Sequence, residues 1–286
     1  MICHYWNAMQ GGKAMSPVRI VDTTLRDGEQ APGVVFSKED KKCIAALLDQ
    51  VGVFEIEAGT PAMGTFECEA LEEILALNLN CRVSTWNRAL IGDIQTSLDC
   101  GSRRIHISLP VSDIQIQYKL QKDRSWVLNK LQETVSFARD AGAFVSVGAE
   151  DASRADFNFL IKFACLAREL GVERLRYADT VGTLNPFTSY NNVQRLMSES
   201  GINIEFHAHN DFGMATANTL AGVEAGAQFV STTVSGLGER AGNCSLEAIV
   251  SVLDHFLPNS VQANQNALNY LTQYVSSVTD RVFSRP

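Results

Sequence analysis

From Val18 onward, short β-branched runs alternate with longer stretches whose apolar residues recur at helical spacing. "VRIVDTT" precedes "SKEDKKCIAALLDQVG", "FEIEAG" precedes "FECEALEEILALN", and "CRVSTW" precedes "RALIGDIQTSLDCG". The rhythm continues with "RRIHISLP" and "SWVLNKLQETVSFARDAG", "FVSVGAE" and "ADFNFLIKFACLARELG", "ERLRYAD" and "PFTSYNNVQRLMSESG". "INIEFHAH" with "GMATANTLAGVEAG", then "FVSTTV" with "CSLEAIVSVLDHF", completes eight strand–helix pairs. The short runs fit strands and the longer ones amphipathic helices.

Punctuation supports these boundaries. Ser37 can cap the first helix, with Asp40 in a capping-box position three residues on, and Gly52 follows its last turn. Pro186 suits the first turn of the sixth helix, and Gly142, Gly171, Gly201 and Gly226 follow four others. Strict β–α alternation implies parallel strands joined by right-handed crossovers. Eight repeats favour a closed (β/α)8 TIM barrel of the α/β class over an open doubly wound sheet, and no G-x-G-x-x-G follows the first strand. The expected organisation is an N-terminal extension over 1–17, a catalytic barrel over 18–257 and the start of a C-terminal helical region over 258–286.

Composition narrows the classes of function. A length of 286 residues with 45% hydrophobic and 20% charged residues fits a globular protein with a sizeable core. A net charge of −8 argues against a nucleic-acid surface, which needs a positive field. Seven scattered cysteines without a C-x-x-C pair suit reduced thiols in a cytoplasmic protein. No apolar stretch is long enough to span a bilayer. The opening "MICHYWNAMQGGKAMSP" lacks the apolar core of a signal peptide, and Met15 is an alternative start.

In a TIM barrel the active site forms at the C-terminal ends of the strands. The unusual polar residues gather there: "TTLRDGEQ", "AGTPAMG", "AED", "ADTVG", "HAHND" and "SGLGERAGN". Turns at the opposite end are plain "DQVG", "DAG" and "ELG". His207 and His209, two apart on one strand, point the same way and can hold a divalent ion such as Zn2+, Mn2+ or Fe2+ with a nearby carboxylate. Asp27 is the best candidate for that carboxylate, because strands one and seven both flank strand eight, and Asn243 can add a carbonyl oxygen. Two hydrogen-bonded structural histidines are the bland alternative. Arg26 can polarise a carbonyl oxygen, or close a salt bridge to Glu29 or Glu57. Glu150 and Thr180 end two other strands, where they can bind substrate or simply form turns. His106 faces opposite to Ile105 and Ile107, with a core role as its default. The glycines of "GLGERAG" allow close approach to a ligand, though flexibility alone explains them equally well.

"DTTLRDGEQ", "HAHND" and "GLGERAGN", in this order, resemble the DRE-TIM metallolyase family, the metal-dependent barrels that include isopropylmalate, citramalate and homocitrate synthases. "ISLPVSD", "EDASRAD", "RYADTVGTLNPF" and "HAHNDFGMATANTLAGVEAGA" look most like the homocitrate synthases of nitrogen-fixing bacteria, and the likeness spans 18–256. The resemblance implies condensation of acetyl-CoA with 2-oxoglutarate to give homocitrate and CoA, homocitrate being the organic ligand of the nitrogenase iron–molybdenum cofactor. It implies a divalent metal (Mg2+, Mn2+ or Zn2+) on Asp27, His207, His209 and Asn243, and a homodimer. Arg26 and Glu150 are then the catalytic residues, and Gln30, His106, Glu150 and Thr180 line the 2-oxo acid pocket.

Two departures bear on this expectation. Lysine-pathway homocitrate synthases place an arginine on strand five before the "ED", whereas "VSVGAED" has no basic residue. That keeps isopropylmalate and citramalate synthase chemistry open. Relatives also continue past the barrel into a helical region that bears a catalytic histidine, often delivered to the partner subunit. This chain ends at "RVFSRP", so the expectation is a barrel truncated relative to the family, with an apolar face exposed over 268–282. Such a chain would bind metal and 2-oxo acid better than it turns over. A barrel that only binds these ligands, or only dimerises, is the rival outside catalysis.

Overall fold

A computed structural model describes residues 17–283, with side chains to 279. The expected N-terminal extension therefore lies, but for Pro17, outside the described residues. Eight parallel strands close into one barrel in chain order: β1 (Arg19–Asp22), β2 (Glu55–Glu57), β3 (Arg82–Arg88), β4 (Arg104–Pro110), β5 (Phe144–Glu150), β6 (Leu175–Asp179), β7 (Ile204–Ala208) and β8 (Phe229–Thr232). Closure rests on the pairing of β1 with β8, in register from Arg19 opposite Phe229 to Asp22 opposite Thr232. This is the TIM barrel expected from the alternation.

One helix follows each strand: α1 (Lys38–Val51), α2 (Thr65–Leu75), α3 (Ile91–Asp99), α4 (Arg124–Asp140), α5 (Phe157–Glu169), α6 (Pro186–Ser200), α7 (Ala215–Glu224) and α8 (Leu246–Phe256). The Ser37–Asp40 capping box forms at the start of α1, and Gly52 takes the left-handed conformation that ends it. Pro186 occupies the first turn of α6, where its missing N–H costs nothing. None of the described helices is long and apolar enough to cross a membrane.

A ninth helix, α9 (Gln265–Phe283), packs back on the barrel beside α1. Leu268, Leu271, Val275 and Val278 bury the apolar stripe, and the Tyr274 hydroxyl donates to Asp40 at 2.9 Å. The apolar face expected to be exposed is thus covered. Helical spacing places these residues on one side, and the groove along α1 accepts that side.

Strand alternation decides what fills the barrel. On β4, Ile105 and Ile107 pack in the apolar core under the helices, while His106 and Ser108 line a cavity at the barrel mouth. Deeper, the interior is ionic. Arg174 pairs with Glu55 (2.6 Å) and Glu205, while Arg176 pairs with Glu57 (2.7 Å) and Glu205 (2.5 Å). All five are buried. TIM barrels more often fill these layers with branched apolar residues. Such a network adds little net stability but punishes loss of one partner by about 3–5 kcal/mol. The paired spacings Glu55/Glu57 and Arg174/Arg176 were a visible signal of this interior.

Candidate functional site

A cavity of about 300 Å³ opens at the C-terminal ends of the strands. Arg26, Asp27, Gln30, His106, Glu150, Thr180, His207 and His209 all line it. Asn243, the remaining candidate, is buried just behind Asp27. The structure therefore brings together residues from β4, β5 and β7 and from the segments just after β1, β6, β7 and β8.

At one wall, Asp27, His207 and His209 present ligand atoms within 4.8 Å of one another. Asp27 Oδ2 is 3.4 Å from His207 Nε2, and the two Nε2 atoms are 3.2 Å apart. Burial raises the Asp27 carboxyl, but the Arg26 guanidinium 2.9 Å away, with help from His207 and His209, more than reverses this and holds it at about 2. Burial drives the His207 imidazole down to about 3 against the pull of Asp27, and His209 is lowered for the same reason. One carboxylate and two neutral imidazoles with converging nitrogens are the protonation states that a divalent cation requires. Asn243 fits beside them. Its Nδ2 donates to Asp27 Oδ1 (3.1 Å) and to the Leu237 carbonyl (2.9 Å), which leaves its buried Oδ1 without a partner.

The glycine-rich loop has a concrete task here. A Cβ on Gly238 would lie 2.2 Å from Asn243 Nδ2, and one on Gly242 would lie 2.0 Å from the Gly236 carbonyl oxygen. The close approach is therefore to Asn243, and flexibility alone does not explain the glycines. A backbone bridge between His209 and Asn243 joins this loop to the end of β7.

Arg26 is fixed at two points, through Nε on Glu57 Oε1 (2.5 Å) and Nη1 on Asp27. Glu29, the other partner considered, instead meets buried Lys41 at 2.7 Å. Trp86 stacks 5.7 Å from the Arg26 guanidinium. His106 is half satisfied: Nδ1 sits 2.9 Å from the Ser146 hydroxyl, while buried Nε2 has no partner. Burial and the nearby Arg176 hold this imidazole neutral. Gly148 makes its space, since a Cβ there would fall 2.8 Å from Nε2. Glu150 pairs with Lys119 (2.8 Å), and Thr180 Oγ1 accepts from the Asp151 N–H (2.8 Å).

Lys119, Arg176, Trp86, Ser108 and Glu239 also line the cavity and escaped the sequence reading. Arg176, Ser108 and Trp86 sit on strands, where inward-facing alternation was the one signal that could have found them. Lys119 ends a π-helical turn, Gln115–Lys119, and Glu239 lies in a loop, both in strand-to-helix connections whose path only the folded chain defines.

A profile of the HMGL-like family matches residues 17–275. Among curated proteins, 2-isopropylmalate synthase 2 of Caldanaerobacter subterraneus subsp. tengcongensis is 49% identical over 269 residues, 94% of this chain and 70% of that protein. Homocitrate synthase 1 of Nostoc sp. is 50% identical over 265 residues, 93% of this chain and 70% of that protein. Among solved structures, hydroxymethylglutaryl-CoA lyase from Pseudomonas aeruginosa superposes with a TM-score of 0.81 at 18% identity, covering 95% of each chain. At that identity the likeness concerns the fold.

Proposed function

This chain belongs to the HMGL-like family, and from that premise we propose that its barrel mouth condenses acetyl-CoA with a 2-oxo acid, 2-oxoglutarate foremost, to give homocitrate and CoA. The observation that carries the reading is the Asp27–His207–His209 cluster in one cavity with a doubly anchored Arg26. Similarity to proteins named homocitrate synthase and 2-isopropylmalate synthase supports acyl transfer to a 2-oxo acid.

In this reading Asp27, His207 and His209 hold a divalent metal ion, with the free Asn243 Oδ1 as a further ligand. When bound, the ion supplies Lewis acidity to the keto and carboxylate oxygens of the 2-oxo acid. Arg26 lines the same cavity and would donate to the keto oxygen, with Glu57 and Asp27 holding its guanidinium before substrate arrives. An alkoxide developing as the acetyl carbon attacks would meet a donor that need not reorganise. Gln30, His106, Glu150 and Thr180 line the rest of the pocket. No basic residue stands on β5, and Arg176 at the cavity is already paired with Glu57 and Glu205, but exposed Lys119 could exchange its Glu150 partner for a distal carboxylate. A dicarboxylic 2-oxo acid is therefore electrostatically admissible.

The second reading, 2-isopropylmalate synthase chemistry with a branched monocarboxylic 2-oxo acid, is favoured by the comparable likeness to a protein of that name. CoA release followed with a thiol reagent, across 2-oxoglutarate, 2-oxoisovalerate and pyruvate, separates the two. Preference for 2-oxoglutarate is the expected result. Preference for 2-oxoisovalerate would replace the first reading with the second, and metal binding without thiol release from any of them would favour a purely binding barrel.

A further inference from the structure

Helix α9 lies outside the eightfold repeat, yet one of its side chains is connected to the metal wall. Glu247, in the first turn of α8, accepts the Ser235 N–H at 2.9 Å and 3.0 Å through its two oxygens. It also accepts the Ser245 hydroxyl at 2.7 Å and, from α9, the Thr272 hydroxyl at 2.7 Å. The Thr272 proton is shared with the Leu268 carbonyl, 2.9 Å away. Ser235 has φ 56° and ψ 17°, a left-handed conformation that residues with a Cβ seldom adopt. A carboxylate gripping its N–H is a direct means of holding it there.

That turn seats the metal wall. The residue after Ser235 is Gly236, whose carbonyl accepts the Asn243 N–H at 2.9 Å. Leu237 follows, and its carbonyl accepts Asn243 Nδ2, the same group that donates to Asp27. Gly238 then passes under the Asn243 side chain, where a Cβ would not fit. The contacts of Gly236, Leu237 and Gly238 with Asn243 thus follow directly on the turn that Glu247 grips, while the Thr233 hydroxyl holds the Leu237 carbonyl from the other end of that turn at 2.6 Å.

We propose that Glu247 is a positioning residue for the metal centre, pinning the Ser235 turn that seats Asn243 against Asp27, and that Thr272 makes this pin depend on α9. The inference rests on the metal site of the proposed function. It adds that a helix beyond the barrel repeat sets how well that site is formed.

Mn2+ titration calorimetry on the full chain, with thermal unfolding of each variant alongside, tests it. Glu247→Gln should weaken Mn2+ binding about tenfold, the lower end of losses from outer-shell partners. Thr272→Val keeps the side chain's shape and guards against a Glu247 variant that fails to fold. It should weaken binding several-fold, and Thr272→Ser, which retains the hydroxyl, should restore it. Tyr274→Phe removes a different α9 hydrogen bond, the one to Asp40, and should leave Mn2+ affinity unchanged even if the unfolding temperature falls. Equal Mn2+ affinity in wild type and Thr272→Val would overturn the proposal while leaving the metal reading intact, as would a Tyr274→Phe loss equal to that of Thr272→Val. A wild-type chain that binds no Mn2+ would instead remove the metal reading, and this inference with it.

Discussion

Nε of Arg26, just beyond β1, lies 2.5 Å from Oε1 of Glu57, the last residue of β2. The other oxygen of Glu57 meets Arg176 Nη2 at 2.7 Å, so one buried carboxylate serves two guanidinium groups. Burial raises the Glu57 carboxyl, but Arg176 and Arg26 outweigh it and keep it ionised far below its ordinary range. Glu57 thus holds Arg26 from beneath the cavity that Arg26 lines. This is an ion pair of the kind the sequence reading set against a catalytic role, and here the pairing and the exposure to the cavity coexist.

Replacing Arg26 with lysine should separate charge from geometry. Lysine keeps the cation but cannot reach Glu57 and Asp27 with a planar fork. Turnover should fall by about two orders of magnitude or more, as for loss of a preorganised oxyanion donor, with a smaller change in the Michaelis constant for the 2-oxo acid. Steady-state thiol release gives both values. A rise in the Michaelis constant alone would show that Arg26 contributes uniform binding.

The proposed metal ligands make a sharper test. His207→Ala or His209→Ala should abolish tight Mn2+ and Zn2+ binding, because one imidazole, the Asp27 carboxylate and the weakly donating Asn243 carbonyl oxygen are too poor a set to hold an ion tightly. Asp27→Asn should weaken it by removing the anionic ligand. Calorimetric titration reads each variant, and unchanged affinity in the double histidine variant would refute the assignment.

Gly148 should tolerate no side chain. Its Cβ would sit 2.8 Å from His106 Nε2, and that imidazole is held from the other side by Ser146. Gly148→Ala should cost about 1–3 kcal/mol of stability, as overpacking does. It should also weaken 2-oxo acid binding, because the displaced imidazole moves into the cavity. Thermal unfolding and ligand titration measure the two effects, and intact affinity would take His106 out of the pocket lining.

Asp22, at the end of β1, gives a pH dependence of known sign. Burial dominates its hydrogen bonds from the Thr24 N–H (2.9 Å) and the Thr232 hydroxyl (3.1 Å), and pushes the carboxyl from 3.8 up to about 7. Between those values the folded chain keeps a proton that the unfolded chain has lost, so this group's contribution declines as pH rises. It is fully present below 3.8 and gone above about 7. His207 acts oppositely: lowered from 6.5 to about 3, it adds stability as pH rises through that window. Denaturant unfolding of Asp22→Asn should therefore show its largest gain over wild type at about pH 8, shrinking toward acid. A gap independent of pH would mean that Asp22 stays ionised when buried.

The order and number of the elements were determined by the sequence alone. Val, Ile and Phe at period two and apolar residues at helical spacing are local signals, and eight repeats of them leave little choice but a closed parallel barrel. The same alternation put His207 beside His209, set His106 opposite Ile105 and Ile107, and placed every strand end that carries a polar cluster at one face. Closure of β1 on β8 then brought Asp27 to the histidines, as the chain order required.

What only the tertiary structure decided depends on contacts between residues far apart in the chain. The pairing of Arg174 with Glu55 spans 119 residues: the spacings Glu55/Glu57 and Arg174/Arg176 mark inward-facing charges, but not which carboxylate meets which guanidinium. Asp27 and Asn243 were legible as neighbours at the barrel mouth, but the hydrogen bond from Asn243 Nδ2 to Asp27, across 216 residues, was not. Lys119 reaches Glu150 from a π-helical turn after β4, whose placement depends on packing. Helix α9 was legible as an amphipathic stretch, but its docking face was not, because an apolar stripe specifies that it will be buried and leaves open against what. The groove beside α1 and the carboxylate of Glu247 supplied that answer, since burial and hydrogen bonding select among surfaces that exist only once the barrel has closed.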